Sequence, residues 1–399
     1  MPQPADEHTG ARIAHERKNR GLTQQGLAMR ANVSLSLLAK VEAGAKPASP
    51  SLIAACERAM KLPSDVLTGA ASPNSLEDDH LRTRIEAIRS TLDLYDLPPE
   101  EEVGPRPLRQ LRAAVRTINT LAQAAKYRPM TEQLPGLLIE LHTAAHVWTG
   151  ADQIAAWGLL SEAYRCGHSV GIAMGMTDLS TVALNRMDWA AQRAGARGPA
   201  LRAAREYLRV TAYLRRKDYT ACQRLNASGQ SLLAGAEADD PGADAARGQL
   251  HLGAAVIAAR VGDEGAREGH LEEAERYAQR TGEVSTFWFG FGPTNVRVHR
   301  AMTLVELGEY DKAVDAGAQL RFPTGWLPTR IGHHYFDLAR AYHWMNRPAQ
   351  AMRQLERAKR VAPQQARRHP EVRKTVQLML DAPGRTPAGL PQYAKWIGL

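Results

Sequence analysis

His142 and His146, four residues apart, would share one helix face at the spacing of a metal pair. His333 and His334 form a second pair. Neither pair has an evident third ligand, so both read as packed or solvent-facing side chains. Gly262-Asp263-Glu264-Gly265 is a loop between helices and not a phosphate cradle, because the chain has no Gly-x4-Gly-Lys-Ser/Thr motif. No Gly-x-Ser-x-Gly, His-Glu-x-x-His or paired-carboxylate motif stands out, and the chain reads as neither an enzyme nor a carrier of a metal or cofactor. Cys56, Cys166 and Cys222 are odd in number and far apart, which argues against a disulfide framework or a thiolate zinc site and fits a reducing compartment. What remains is charge. The 399 residues hold 51 Lys and Arg against 42 Asp and Glu, a formal net of +9, which is compatible with an anionic partner.

The elements that must position these groups are helical. Strand-like alternation is almost absent, and the expected class is all-α. Pro, Gly and Asn in Gly69–Asn74, followed by Glu77-Asp78-Asp79, mark a linker. Residues 8–68 before it hold nine Lys and Arg but only four Asp and Glu, a denser positive charge than the rest of the chain. Leu81, Ile85, Ile88 and Leu92 form a narrow stripe, read as a connector helix or a dimer seam, stopped by Pro98-Pro99. Leu108, Leu111, Val115, Ile118 and Leu121 share one face of the next helix, and another runs from about Thr131 to Trp148. The boundaries are 8–68 for a first domain, 69–106 for linker and connector, 107–382 for a helical array and 383–399 for a tail. The start of the chain has no apolar core of a secretory signal, and no apolar stretch approaches membrane length, so a cytoplasmic location without membrane partners is expected.

Within residues 8–68, Thr23 and Ser34 are good N-caps, Asn32-Val33 makes a short turn, and Leu27, Ala28, Leu37, Leu38 and Val41 supply inward faces. Gly44 suits a helix stop, and a fourth helix follows from Pro50 with Leu52, Ile53, Cys56 and Met60 inward. With a first helix from Ala11 to Arg20 and a short last turn near Leu67, this makes five helices. The run Leu22-Thr-Gln-x-x-Leu-Ala28, the pair Val33-Ser34 and the end Val41-Glu-x-Gly44 resemble the phage-repressor and Cro (XRE-type) helix-turn-helix family over about residues 10–68. The resemblance implies a duplex DNA operator as partner, with the second helix of the motif in the major groove. It implies DNA contacts from Thr23, Gln24, Gln25, Arg30 and Lys46, with Gln24, Arg30 and Lys46 on the phosphate backbone, and an exposed reading face of Ser34, Leu35, Ser36, Ala39 and Lys40. Leu35, Ser36 and Ala39 are weak readers of base edges.

The second half repeats. Tyr335, Leu338, Ala339, Tyr342, Ala351, Leu355, Ala358 and Pro363 follow the tetratricopeptide spacing, and Trp157, Leu160, Ser161 and Tyr164 repeat its first-helix pattern. With loops at Lys217-Asp218, Gly262-Asp263 and Gly308-Glu309, this resembles a tetratricopeptide array of about five pairs from 150 to 363. One degenerate pair precedes it and a capping helix, about Pro370 to Leu380, follows. Such an array makes a curved solenoid with a concave binding face. The repeat register puts Glu162, Arg165, Tyr207, Arg215, Gln249, Arg260, Asn295, His333, Phe336, Arg340 and His343 on that face. Arg165, Arg215, Arg260 and Arg340 would suit a carboxylate or other anion. The run Phe287–Asn295 reads as a pocket wall or a buried plug.

The whole layout resembles helix-turn-helix regulators with tetratricopeptide sensors, the RRNPP group of peptide-pheromone receptors, in an actinobacterial style. That implies a homodimeric transcription regulator that senses a peptide or small-molecule signal, as in quorum sensing. The rival reading is a protein-interaction adaptor with a helical docking domain.

Overall fold

The computed structural model describes residues 9–60, 62, 67, 75–97, 104–235, 241–285, 288, 290–382 and 386–399. The expected linker 69–74, the Pro98-Pro99 stop, the residues flanking Leu67 and the side chains of Phe287 and Phe289 lie outside them. Contacts divide the chain into two units within one helix, between His80 and Leu81.

In the N-terminal unit, α1 (Thr9–Asn19), α2 (Gln24–Ala31), α3 (Leu35–Glu42) and α4 (Pro50–Met60) surround Ile13, Leu27, Ala28, Leu38, Val41, Leu52 and Cys56. Burial pushes the Cys56 thiol up to about 11, so it is inert packing. The caps form as the sequence implies. Thr23 accepts from the Gly26 amide at 3.0 Å and Ser34 from the Leu37 amide at 3.2 Å. Asn32 takes the left-handed conformation at φ 55° and lets the chain reverse between α2 and α3. An ion pair that the sequence reading missed ties these helices together. Arg17 donates Nε and Nη2 to the two oxygens of Glu42 at 2.8 and 2.9 Å, and Nη1 to the Leu22 carbonyl at 2.7 Å. Gln24 adds a third donor to the Glu42 carboxylate at 2.8 Å. With side chains only 9% and 4% exposed, the pair fixes α3 against α1 and the start of α2.

The second unit begins in α5 (Ser75–Asp93). Ile85, Ile88 and Leu92 are fully buried in its main core, so the stripe read as a connector or dimer seam is covered within the chain. Arg89 reaches Asp178 at 2.9 Å, and Arg186 donates to the Leu92 carbonyl at 2.8 Å. Six helix hairpins follow: α6 (Leu108–Gln123) with α7 (Tyr127–Val147), α8 (Gly150–Ala173) with α9 (Thr177–Ala191), and α10 (Gly198–Arg215) with α11 (Tyr219–Leu232). Then come α12 (Pro241–Val261) with α13 (Glu264–Thr281), α14 (Pro293–Leu307) with α15 (Tyr310–Gly317), and α16 (Pro328–Trp344) with α17 (Pro348–Val361). After α18 (Pro363–Arg368) and α19 (Pro370–Asp381), α20 (Leu390–Ile397) buries Leu390, Tyr393 and Ile397. The stretch read as a tail therefore contains a packed helix. No helix among the described residues is long and apolar enough to cross a membrane.

All six hairpins turn the same way. Ala125, Gly175, Lys217, Gly262, Gly308 and Asn346 are left-handed, with φ between 54° and 82°. The amide of the next residue bonds back to the carbonyl five positions earlier, as in Lys126 to Leu121 at 2.8 Å and Glu309 to Leu304 at 2.9 Å. This is a Schellman stop, which satisfies orphan carbonyls while redirecting the chain. Asp218 and Asp263 then cap the following helices through the Ala221 and Ala266 amides at 3.0 and 2.9 Å. The expected knobs are in place: Trp157, Leu160, Tyr164, Leu338, Tyr342 and Leu355 are all buried.

The array curves far enough to meet itself. The Tyr127 amide donates to Gln364 at 3.0 Å, Gln123 reaches Ser285 at 3.2 Å, and Arg330 donates to the Tyr207 hydroxyl at 3.3 Å. The aromatic run supplies a plug: Phe291 is fully buried and fills the space beside Gly248, where a Cβ would lie 1.9 Å from its ring. Gly248→Ala should therefore cost about 1–3 kcal/mol by overpacking, read as a lower urea midpoint; an unchanged midpoint would remove the plug role. Glu42→Gln should destabilise the N-terminal unit by roughly 3 kcal/mol, because it leaves Arg17 buried without its counter-charge. Amide exchange in the full chain should then accelerate in α1–α4 and not in α6–α17.

Candidate functional sites

On the N-terminal unit, Thr23, Gln25, Arg30, Ser34, Leu35, Ser36, Lys40 and Lys46 are exposed, while Gln24 and Ala39 are half-buried. Leu35 is an apolar side chain with 45% of its surface in water on an otherwise polar face. Lys40 and Lys46 are brought together by the Lys46 amide bonding to the Lys40 carbonyl at 3.2 Å. The Gln24 side chain is engaged by Glu42, which leaves the backbone amides at the α2 terminus as donors facing out.

The residues that the repeat register assigns to a concave face lie on the first helices α8, α10, α12, α14 and α16 of their pairs. Several residues assigned there by register are already occupied. Glu162 accepts from Asn119 at 2.9 Å and from Arg197 at 2.8 Å. Arg260 donates to Glu306 at 2.8 Å and to the Leu214 carbonyl at 2.9 Å. Arg340 binds the other oxygen of Glu306, with Asp337 at 3.8 Å and Glu371 at 3.7 Å. Two of the four arginines expected to await an anion are thus neutralised. Gln249 and Asn295, both fully buried, pair with each other at 3.1 Å, and Gln249 Nε2 and Asn295 Oδ1 have no partner.

The other arginines differ. Arg165 is buried, donates to Asn119 and to Ser169 (3.2 Å), and lies 4.7 Å from the Trp288 ring; its Nε has no acceptor. The Arg330 side chain donates to the Tyr207 hydroxyl, and Arg215 makes no ion pair among the described residues. His333 packs edge-on against His369, 4.6 Å between ring centres, with Phe336 beside both. Burial, followed by nearby positive charge, holds these imidazoles neutral. His299 is pushed down to about 3 with Arg330 contributing, and His369 to about 4 with Arg215 and Arg340 contributing. His333 is driven well below its usual value by burial, His369, Arg330 and Arg215. His168 falls to about 3 through burial, Arg165 and Arg215.

Arg330, His299, His369, Glu306 and Asp337 were missed by the register, although two were readable. Arg330 precedes His333 by one turn, and His299 follows Asn295 by one turn. Beside them, Glu306, Tyr310, Arg340, His343, Trp344, Glu371 and Lys374 border a pocket of about 190 Å³. Trp344 is 55% exposed there and stacks on Tyr310. The paired histidines His142 and His146 are engaged with the Tyr95 and His142 carbonyls, and no cluster fit to hold a metal occurs among the described residues.

Comparison with known proteins gives the class of the N-terminal unit. Residues 8–71 match the family model described as a helix-turn-helix domain, and that unit is one. No curated protein sequence matches the chain. Among solved structures, the chain is similar to the crystal structure of Bacillus thuringiensis PlcR in complex with the peptide PapR7 and DNA. The identity is 12% and the TM-score 0.32, over 89% of this chain and 94% of that one.

Asp337 gives this site a pH signature. Burial and the neighbouring Glu306 and Glu371 outweigh Arg340 and raise its carboxyl to about 7. Between about pH 4 and pH 7 the folded chain then holds a proton that the unfolded chain has released, so rising pH erodes stability across that window. Asp337→Asn should gain stability relative to wild type as pH rises from about 4 to 7. Urea midpoints of both proteins measure this; a pH-independent difference would refute it.

Proposed function

We propose that this protein is a DNA-binding transcriptional regulator whose helical array binds a regulatory ligand on its inner face. The observation that carries the reading is the helix-turn-helix domain at residues 8–71, with α3 held by Arg17–Glu42 and its Ser34, Leu35, Ser36 and Lys40 side chains exposed. In this reading α3 enters the major groove, and the α2 terminus, Thr23, Gln24, Gln25, Arg30 and Lys46 hold the phosphates. Ser34, Leu35, Ser36, Ala39 and Lys40 meet the base edges, with Lys40 the strongest reader through guanine acceptors. The modest chemistry of the other four favours a homodimer, in which two half-sites about 34 Å apart share the discrimination. Ligand on the inner face changes the affinity for DNA only through its preference for one arrangement of the pair.

The test is a mobility shift with DNA upstream of the protein's own gene, at two salt concentrations, against random competitor. A discrete complex that weakens steeply with salt and survives competitor supports the regulator. Weak retention without site preference would instead favour an adaptor. Lys40→Ala should cost about 1–3 kcal/mol at the preferred site and relax base preference. Unchanged affinity and preference would remove Lys40 from the interface.

A further inference from the structure

We propose that the inner face of the array takes an acidic ligand, and that its anionic group sits between Arg215 of α10 and Arg330 of α16, over the His333–His369 pair. This rests on the reading of that face as the ligand site and adds the chemical class and the place. The arginines assigned to this face are unevenly matched. Arg260 and Arg340 are matched by Glu306, with Asp337 and Glu371 gathered round Arg340. Arg165, Arg215 and Arg330 have no carboxylate within ion-pair distance among the described residues. Glu371 is the acid whose charge Arg215 feels, and it approaches Arg340 instead.

Arg165 is buried and Arg330 half-buried, and each loses water without gaining a counter-charge, which is costly for the folded chain. Arg215 stays exposed, open to a solute, and its surroundings pull its guanidinium below the usual pKa. The cost registers in the four imidazoles that the same charges help to keep neutral. Arg330 lies one helical turn before His333 on α16, the charge of Arg215 on α10 also acts on His333, and the half-buried His333 and His369 are within reach of a solute. Nδ1 of His369 is buried and has no partner, so it can accept or donate one more hydrogen bond. Guanidinium forks bind carboxylate or phosphate bidentately. An anion placed here joins α10 to α16 and α18–α19, helices more than 100 residues apart that already touch through Arg330 and Tyr207.

The experiment uses the full chain and three isosteric probes at millimolar concentration: glutarate, its neutral diamide and 1,5-diaminopentane, with inorganic phosphate as a fourth arm. Calorimetry and tryptophan emission report binding. Saturable binding of glutarate or of phosphate, with none of the diamide or the diamine, is expected; whichever anion wins separates a carboxylate ligand from a phosphorylated one. Arg215→Gln and Arg330→Gln should each weaken that binding by about tenfold or more. Arg216→Gln, which removes the same charge from an exposed neighbour resting on Tyr213, should leave it unchanged. Binding of all probes alike, equal loss in Arg216→Gln, or no anion binding would overturn the assignment. The mobility shift on the same preparations separates the two claims. A specific DNA complex without anion binding overturns only the ligand class, whereas anion binding without a DNA complex overturns only the regulator.

Discussion

Everything in the second unit follows from one turn made six times. A left-handed residue ends the first helix of each pair, the next amide bonds back five residues, and the chain leaves in a fixed direction. Because the redirection is the same each time, the first helices stack side by side and the array bends steadily. Three of the six positions are filled by Ala125, Lys217 and Asn346 and not by glycine. An L side chain there costs about 1 kcal/mol or more, so the packing of the hairpin, and not local preference, must hold the conformation. The bend then brings Arg330 to Tyr207, 123 residues earlier in the chain.

In the N-terminal unit a single carboxylate plays the corresponding part. Glu42 ends α3 and receives donors from α1 and from the first residue of α2. The orientation of α3 is therefore set by charge geometry as well as by the small apolar core of Ile13, Leu27 and Leu38. A buried bidentate pair is a weak source of net stability but a strong discriminator against other packings. That suits a helix whose outer face must be presented at a defined angle.

The sequence showed the helix-turn-helix caps and the hairpins, because each depends on residues close together in the chain, and left the aromatic run open between a pocket wall and a plug. Thr23, Ser34, Trp157, Tyr164 and Leu338 do what their spacing says. Three things were not legible. The stripe of Ile85, Ile88 and Leu92 is amphipathic whether it meets a second copy or its own array, and only the packing against α8 and α9 decides. Helix α20 is short and follows Pro- and Gly-rich chain, so its three apolar anchors looked like a tail. Most telling are the arginines. Register assigned Arg215, Arg260 and Arg340 to one face but could not say which would find Glu306. That is a matter of a few ångströms between neighbouring helices.

The contact between Tyr127 and Gln364 joins residues on either side of nearly the whole array. Stacked repeats usually behave as a line of units that loosen from their ends, each feeling only its neighbours. Here the two ends are bonded to one another, and the middle is clasped across the interior by Arg330 and Tyr207 and by Arg165 and Trp288. These contacts tie distant pairs of the line to one another. The hairpins should come apart together, and a molecule seated inside would be felt by all of them at once.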